Sequence, residues 1–348
     1  MAMTIVEAAR MVTGGVDTHL DVHVAAALDP IGGLLGSEAF EVSPAGYRQL
    51  LNWLETFGTV GKVGVEGTGA YGAGLLRFLT RSGVDVVEVD RPNRQARRLH
   101  GKSDTLDAVE AARAALAGRA DGQAKSRDGA VEAIRVLVVA KRSARSSRVK
   151  ALVQIRHLGY TAPDQLRSRL KGLTITALVA EGVRLRPASS SDPVTAATKA
   201  SISSLARRVQ ALDAEIARLD QLLCPLVTAT APDLLGLVGV GPDVAAALLV
   251  AAGDNPQRLH SEAAWAHLCG VAPLPASSGK VTRHRLDRGG DRQANSALWR
   301  IVICRLSCDP DTKIYMERRL KEGRSKTEII RILKRYVARE VYRHLPRG

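Results

Sequence analysis

Apolar and polar positions alternate along GGVDTHLDVHVAAALDP, residues 14 to 30, which carries three Val and one Thr. That period of two predicts a strand, a tight bend and a second strand, with Asp17 on the first. A short third strand is expected near Glu38 to Val42, and Ser43 is placed to cap a helix carrying Tyr47, Leu50, Leu51 and Leu54 that ends near Phe57 and Gly58. KVGVEGTGAYGAGLLRFL then predicts a buried strand closing at Glu66, a glycine-rich turn and a helix. VDVVEVD, residues 84 to 90, gives another short strand, followed by a helical stretch from Asn93 to Ala117. Strands followed by strand–helix alternation predict an α/β domain of roughly 120 residues.

Beyond Arg119 the strands disappear and the charge becomes one-sided. Between Arg135 and Arg186 stand 12 Lys or Arg against two acids, Asp164 and Glu181. Ser and Pro around Pro187 to Pro193 predict a loop. Ile202, Leu205, Val209, Leu212, Ile216, Leu219 and Leu223 then recur at alternating spacings of three and four, a seam for a coiled coil or a helical hairpin. From Ala231 onward a mostly helical domain is expected, broken by a Gly, Ser and Arg-rich loop from Pro273 to Gly290. The last 28 residues, KEGRSKTEIIRILKRYVAREVYRHLPRG, predict a basic amphipathic helix that packs on its neighbours.

Composition narrows the class of partner. Among 348 residues, 50 Lys and Arg against 35 Asp and Glu give a formal charge of +15, the balance of a protein that meets a polyanion. Only 3% of residues are aromatic, so contact with a nucleic-acid backbone is expected in place of bases stacked on aromatic platforms. Cys224, Cys269, Cys304 and Cys308 form no CxxC pair and have no zinc-finger spacing to His. Cys304 and Cys308, one helical turn apart, are expected as small core residues of a reducing cytoplasm. No apolar run reaches the ~18 residues that span a bilayer, and MAMTIVEAARMVTGG lacks the regions of a signal peptide. A cytoplasmic, nucleoid-associated protein without a membrane partner is the expectation.

Chemistry enters with Asp17, Glu66, Asp104 and Asp107. The first two close strands, and the last two, in GKSDTLDA, are three apart and share one helix face. Four carboxylates converging from two strands and a helix repel one another unless divalent cations neutralise them, and hard oxygen ligands suit Mg²⁺ or Mn²⁺. Two such ions can activate an oxygen nucleophile and stabilise the leaving oxygen at a phosphodiester. Taken singly, each acid also fits a helix cap or a surface charge. His19 and His23 flank the first strands near Asp17, where they could touch a metal or phosphate, but partly exposed strand histidines are expected there and neither is assigned a role.

The order VDTHLD, GVEGTGAY, KSDTLDA resembles the N-terminal DEDD domain of the IS110-family transposases, whose fold is similar to the RuvC junction resolvases and RNase H. LLGLVGVGPDVAAALLVAAGD and WAHLCGVAPLPASSGKVTRHRLDRGGDRQANSALWR resemble that family's C-terminal transposase domain, so the resemblance covers most of the chain. It implies an α/β plus α architecture: a RuvC/RNase H-like DEDD domain over 1–122, a basic helical and coiled-coil region over 123–228, a C-terminal transposase domain with a serine loop over 229–320, and a basic helix over 321–348.

LVGVGPDVAAALL, residues 237 to 249, matches a helix-hairpin-helix, in which Gly239 and Gly241 would let backbone N–H groups approach a phosphate; an ordinary Gly-Pro turn between packed helices fits the same text. Ser277, Ser278 and Gly279 precede Lys280, Arg283, His284, Arg285, Arg288 and Arg292. A hydroxyl attacks phosphorus poorly unless its proton is removed and the phosphate charge is stabilised, which neighbouring guanidinium groups can do. By itself such a loop equally fits a phosphate grip; the resemblance implies a serine nucleophile in a Ser-Gly step, matched best by Ser278 and next by Ser277. The family's K/R-x-G-N/D-x-x-L/I-R stretch is replaced here by Arg288 to Asn295, so the helix is expected to persist without carrying over single arginine contacts.

The function expected is a DNA transposase or recombinase that cuts and rejoins strands of an insertion element through metal-bound carboxylates and a serine, in a composite site between copies of the protein. The resemblance implies direction to donor and target DNA by a structured non-coding RNA; a homo-oligomer, dimer or tetramer, is expected. Backbone contacts are expected from Lys141, Arg142, Arg145 and Arg148 as well as the serine-loop cations. Two rivals differ in chemistry: a RuvC-like metal-dependent junction nuclease that uses water and forms no covalent intermediate, and a non-catalytic nucleic-acid-binding protein.

Overall fold

The computed structural model describes residues 10–89, 103–120, 122–189, 192–277 and 284–346. The described residues fall into two compact units, one formed within 10–129 with Gly253–His260, the other by Ala130–Ala252 with 261–346.

In the first unit, β1 (Met11–Thr18), β2 (Val22–Leu28) and β3 (Leu34–Glu41) form an antiparallel meander. The third strand is longer than its sequence pattern predicts, because pairing with β2 recruits Leu34 to Ser37. Ser43 accepts the Gly46 amide at 3.1 Å and starts α1 (Pro44–Glu55). Next come β4 (Thr59–Glu66), α2 (Ala73–Arg81) and β5 (Asp85–Val89); β4 runs parallel to both β1 and β5, giving the order β3-β2-β1-β4-β5. Of the helical stretch expected over 93–117, Asp104–Leu116 is helix, here α3, and 93–102 lie outside the described residues.

Side-chain alternation divides this sheet between two layers. Ala25, Ala27, Val63, Val65 and Val86 pack with the leucines of α1 and α2, whereas Ala26, Leu28, Val87 and Val89 pack under α3. The α3 side is built from small residues. A Cβ on Gly15 of β1 would lie 2.2 Å from the Ala108 carbonyl oxygen, and one on Gly64 of β4 would lie 2.5 Å from that of Ala111. Two strand glycines, which cost conformational entropy, are thus required for the close approach of a helix backbone. Gly253–His260 joins this unit through Asn255, which donates to the Ala124 carbonyl at 2.8 Å and accepts from the Ser126 amide at 3.3 Å.

The second unit is helical. It contains α4 (Ala130–Thr161), α5 (Asp164–Leu170), α6 (Ile175–Arg184), α7 (Pro193–Thr230), the single turn α8 (Pro232–Leu235), α9 (Pro242–Ala252) and α10 (Glu262–Leu268). A two-residue ribbon, β6 (Leu274–Pro275) against β7 (His284–Arg285), precedes α11 (Arg292–Cys308), α12 (Pro310–Lys321) and α13 (Lys326–His344).

Helix α7 is longer at both ends than its apolar seam. Asp192 caps it with Pro193 in the first turn, and it continues through Pro225. It lies antiparallel on α4 of the same chain, since Lys141 pairs with Asp220 and Arg148 with Asp213, a step of seven on each helix in opposite directions. Ile202, Val209 and Leu223 are buried, and Leu212, Ile216 and Leu219 are half-buried.

Two expectations for this unit need correction. Cys304 and Cys308 are exposed, because α11 buries the face carrying Ala294, Ala297, Leu298, Ile301 and Val302. The C-terminal 28 residues are not one helix: Gly323, at φ +82°, breaks the chain, and Ser325 with Glu328 forms a capping box that restarts it as α13. Among the described residues no helix is long and apolar enough to cross a membrane.

Candidate functional site

Strands β1 and β4 pair in parallel with Val16 opposite Val65, so Asp17 and Glu66, one step further, stand side by side where the two strands end. The C-terminal ends of adjacent parallel strands are where open α/β sheets place ligands. Thr18 ties the two ends together by donating its hydroxyl to the Glu66 carbonyl at 2.8 Å. Over them comes the N-terminus of α3, held low on the sheet by Gly15 and Gly64, with Asp104 and Asp107 in its first turn. Asp107 is buried, one residue before the alanine that meets Gly15.

Asp17, His19 and Asp104 each place one ligating atom within 4.8 Å of the other two. The imidazole Nε2 of His19 lies 3.1 Å from a carboxylate oxygen of Asp17 and 3.5 Å from one of Asp104. Burial raises the Asp17 carboxyl above the ordinary carboxylate range; His19 opposes this, while Asp107 and Asp104 add to it. Two of the other acids picked from the sequence, Asp104 and Asp107, therefore act on Asp17 through space. The fourth, Glu66, is half-buried at the neighbouring strand end, and both it and Asp107 lie outside the 4.8 Å group. A concentration of acid that burial and mutual repulsion make costly is a fit for a divalent cation, and carboxylate oxygens suit Mg²⁺ or Mn²⁺.

From the sequence, His19 could touch a metal or phosphate and is given no role. Its only signal is the DTHLD spacing, and what recruits it is the bend that returns the chain from β1 to β2 over the α3 terminus. His23 also departs from expectation. It is fully buried in β2, stacked on Tyr47 with ring centroids 5.8 Å apart, and among the described residues neither ring nitrogen has a partner within hydrogen-bond geometry. Burial pushes its pKa down to about 4.

The nucleic-acid candidates are spread over the second unit. Ser277 follows β6 and is exposed, as are Arg285, Arg288 and Arg292; Ser278, Gly279, Lys280 and Arg283 lie outside the described residues. The loop's return is pinned to α10. Asp287 meets the His267 imidazole at 3.2 Å and accepts the Gly289 amide at 3.0 Å, and a Cβ on Gly290 would sit 2.1 Å from the Gly270 nitrogen. Asp291 then caps α11 by accepting the amides of Gln293 and Ala294, so the helix does persist after the altered stretch. His267 and Asp287 had no sequence signal, being 20 residues apart in unrelated elements.

Gly239 adopts φ +83°, and a Cβ there would meet the Ile301 carbonyl oxygen at 3.2 Å and the Cys304 Cβ at 3.3 Å. Its smallness serves packing against α11, whereas Gly241 faces open space. Lys141 is placed differently from a backbone contact. It is buried and held by Asp220 and, at 2.6 Å, by Asp243. Arg145 shares Asp243 at 2.8 Å, Arg148 pairs with Asp213, and Arg142 is exposed.

Two family models match the chain. One, described as a transposase and carrying the DEDD domain of IS110 type, matches residues 14–158, which include all four acids. The other, described as the transposase IS116/IS110/IS902 family, matches residues 232–317, from α8 into α12. Among curated proteins, the insertion element IS900 42 kDa protein of Mycobacterium paratuberculosis is 28% identical over 197 residues, covering 51% of this chain and 48% of the relative. The insertion element IS110 43.6 kDa protein of Streptomyces coelicolor is 30% identical over 140 residues, covering 40% of this chain and 33% of the relative. The matched region spans about half of the first relative's length and a third of the second's.

Proposed function

Because the chain belongs to the IS110 family of transposases, we propose that it cuts and rejoins DNA strands of an insertion element, with the acids of the first unit and Ser278 acting in the same phosphoryl transfer. The observation that supports this most is the meeting of Asp17, His19 and Asp104 within 4.8 Å, beside buried Asp107.

Asp17 and Asp104, with Glu66 and Asp107, would hold Mg²⁺ or Mn²⁺. A bound divalent ion polarises the scissile phosphate and makes a hydroxyl easier to deprotonate. The chain's own groups divide the remaining work. Thr18 fixes the two strand ends, and His19 holds the Asp17 and Asp104 carboxylates at a set separation. Ser278 Oγ, or Ser277 in its place, attacks phosphorus as its proton passes to a base; the bond to the departing strand's oxygen breaks, and that oxygen takes up a proton. Attack by another strand's hydroxyl on the phosphoserine reverses these steps and reseals DNA without outside energy. Arg285, Arg288 and Arg292, exposed around the ribbon and the start of α11, are suited to phosphate oxygens, as are Lys280 and Arg283 in the loop. By family resemblance, donor and target DNA are selected by a structured non-coding RNA; the composite site would form between copies of the protein in a homo-oligomer.

Purified protein, its element's flanking DNA, the element's non-coding RNA and Mg²⁺ should yield a protein–DNA adduct on a denaturing gel. The adduct should vanish in Ser278→Ala and in Asp104→Ala. Cleavage without an adduct, retained in Ser278→Ala, would replace this mechanism with water-dependent hydrolysis of the RuvC type.

A further inference from the structure

Within the second unit, α4, α9 and α11 line a half-open cavity of about 280 Å³. Its walls are cationic and polar: Lys141, Arg142 and Arg145 come from α4, and Gln293, Ser296 and Arg300 from α11, where spacings of three and four put all three on one helix face. Val138, Asp243 and Ala247 complete the lining, which contains no aromatic side chain.

The charges here are unevenly satisfied. Lys141 is held by Asp220 and Asp243, and Asp243 also takes Arg145, so two cations are matched by two acids. Arg142 and Arg300 also line the cavity, and among the described residues neither has an acid partner. Among the described residues the Arg300 Nε–H is buried without an acceptor. A buried charged donor is disfavoured unless something outside the chain completes it, and a planar guanidinium matches the oxygens of a phosphate. Gln293 and Ser296 add neutral donors that can reach the same oxygens.

We infer that this cavity is a subsite for one phosphodiester phosphate of a nucleic-acid backbone, gripped by Arg142 and Arg300. This rests on the transposase reading for the identity of the polyanion. The volume lies near the lower end of the roughly 300–1,000 Å³ typical of small-molecule sites, enough for a phosphate and the edge of its sugars. Without an aromatic platform the contact carries no base preference, and its role is to set the register of the strand on the helical unit. Sequence inspection grouped Arg142 with Lys141 but left out Gln293, Ser296 and Arg300, which lie about 150 residues away in another helix.

The test is the salt dependence of binding by full-length protein to a fluorescein-labelled DNA duplex and to an RNA duplex of the same sequence. Arg142→Gln, Arg300→Gln and the control Arg208→Gln, which removes an exposed charge from α7, are compared with wild type. Each cavity variant should weaken binding about 5- to 10-fold near 0.1 M salt and lower the slope of log affinity against log salt by about 0.9, with Arg208→Gln close to wild type. Loss on both duplexes supports a shared backbone subsite; loss on one supports it and identifies the strand type. Equal small losses in all three variants would overturn the subsite while leaving the transposase reading intact. Failure of wild type to bind either duplex would overturn both. Arg142 is exposed, so its variant keeps the proposal open to refutation even if Arg300→Gln folds poorly.

Discussion

Asp17 and Asp243 are both carboxylates drawn toward the interior of their units, and their surroundings move them in opposite directions. Burial raises Asp17, His19 offsets part of that, and Asp107 and Asp104 raise it further. At Asp243 burial also raises the carboxyl, but hydrogen bonds from Lys141 and Arg145 outweigh it and hold the group below its ordinary range. The helical unit matches its acids to cations, as Asp213 with Arg148 and Glu181 with Arg169 also show. At the strand ends of the first unit, acid is set against acid with one histidine between. Repulsion retained in a folded protein marks a place where something else is meant to supply positive charge, whereas matched buried pairs hold helices together.

The largest effect should come from Asp104→Asn. Strand cleavage should fall on the order of 10³-fold, since a group that helps stabilise transition-state charge is worth several kcal/mol. The melting temperature should not fall, because one source of repulsion on Asp17 is gone; a loss of both activity and stability would place Asp104 among structural acids instead. Lys141→Met probes the opposite case. It leaves Asp220 and Asp243 without their shared buried cation and should cost about 3–5 kcal/mol by urea unfolding. Restoration by adding Asp220→Asn and Asp243→Asn would confirm that the loss is electrostatic, and a cost below about 1 kcal/mol would remove the contrast between the units.

His23 gives a somewhat smaller, pH-dependent effect. Its folded pKa is about 4, below the roughly 6.5 of an unfolded histidine. Between those values the unfolded chain binds the proton and the folded one does not, so stability is fully present above pH 6.5 and is lost as pH falls toward 4. The full loss is about 3 kcal/mol at 1.36 kcal/mol per unit. His23→Phe, which keeps a ring against Tyr47, should remove that part of the pH slope in calorimetric melts; an unchanged slope would assign it elsewhere. The smallest effect is expected at Arg148→Ala. Its pair with Asp213 is partly exposed, and the change should stay below about 1 kcal/mol at moderate salt. A larger cost would mean that the α4–α7 pair depends on its outer charges as well as on Lys141.

Much of the first unit could be read directly from the chain. The strand and helix of each segment, the Ser43 cap and the placing of Asp17 and Glu66 at strand ends follow from local period and turn residues, which act over a few positions. The alternating seam announced α7 but not its partner, because an apolar stripe specifies that it must be covered and leaves open by what. Arg142, a solvent-facing residue of a basic stretch, was legible as a candidate; Arg300 was not, since nothing nearby in sequence distinguishes it from other helix arginines.

By itself the sequence determined most elements of the first unit, the excess of positive charge and the four acids, because each depends on residue identity and short-range spacing. The tertiary structure alone decided that His19 stands between Asp17 and Asp104, that Gly15 and Gly64 let α3 bring its acids down onto the sheet, and that Lys141 is enclosed by acids 79 and 102 residues away. Those outcomes depend on close approach between distant segments, where one Cβ or one opposed charge determines the fit, and no period along the chain records that.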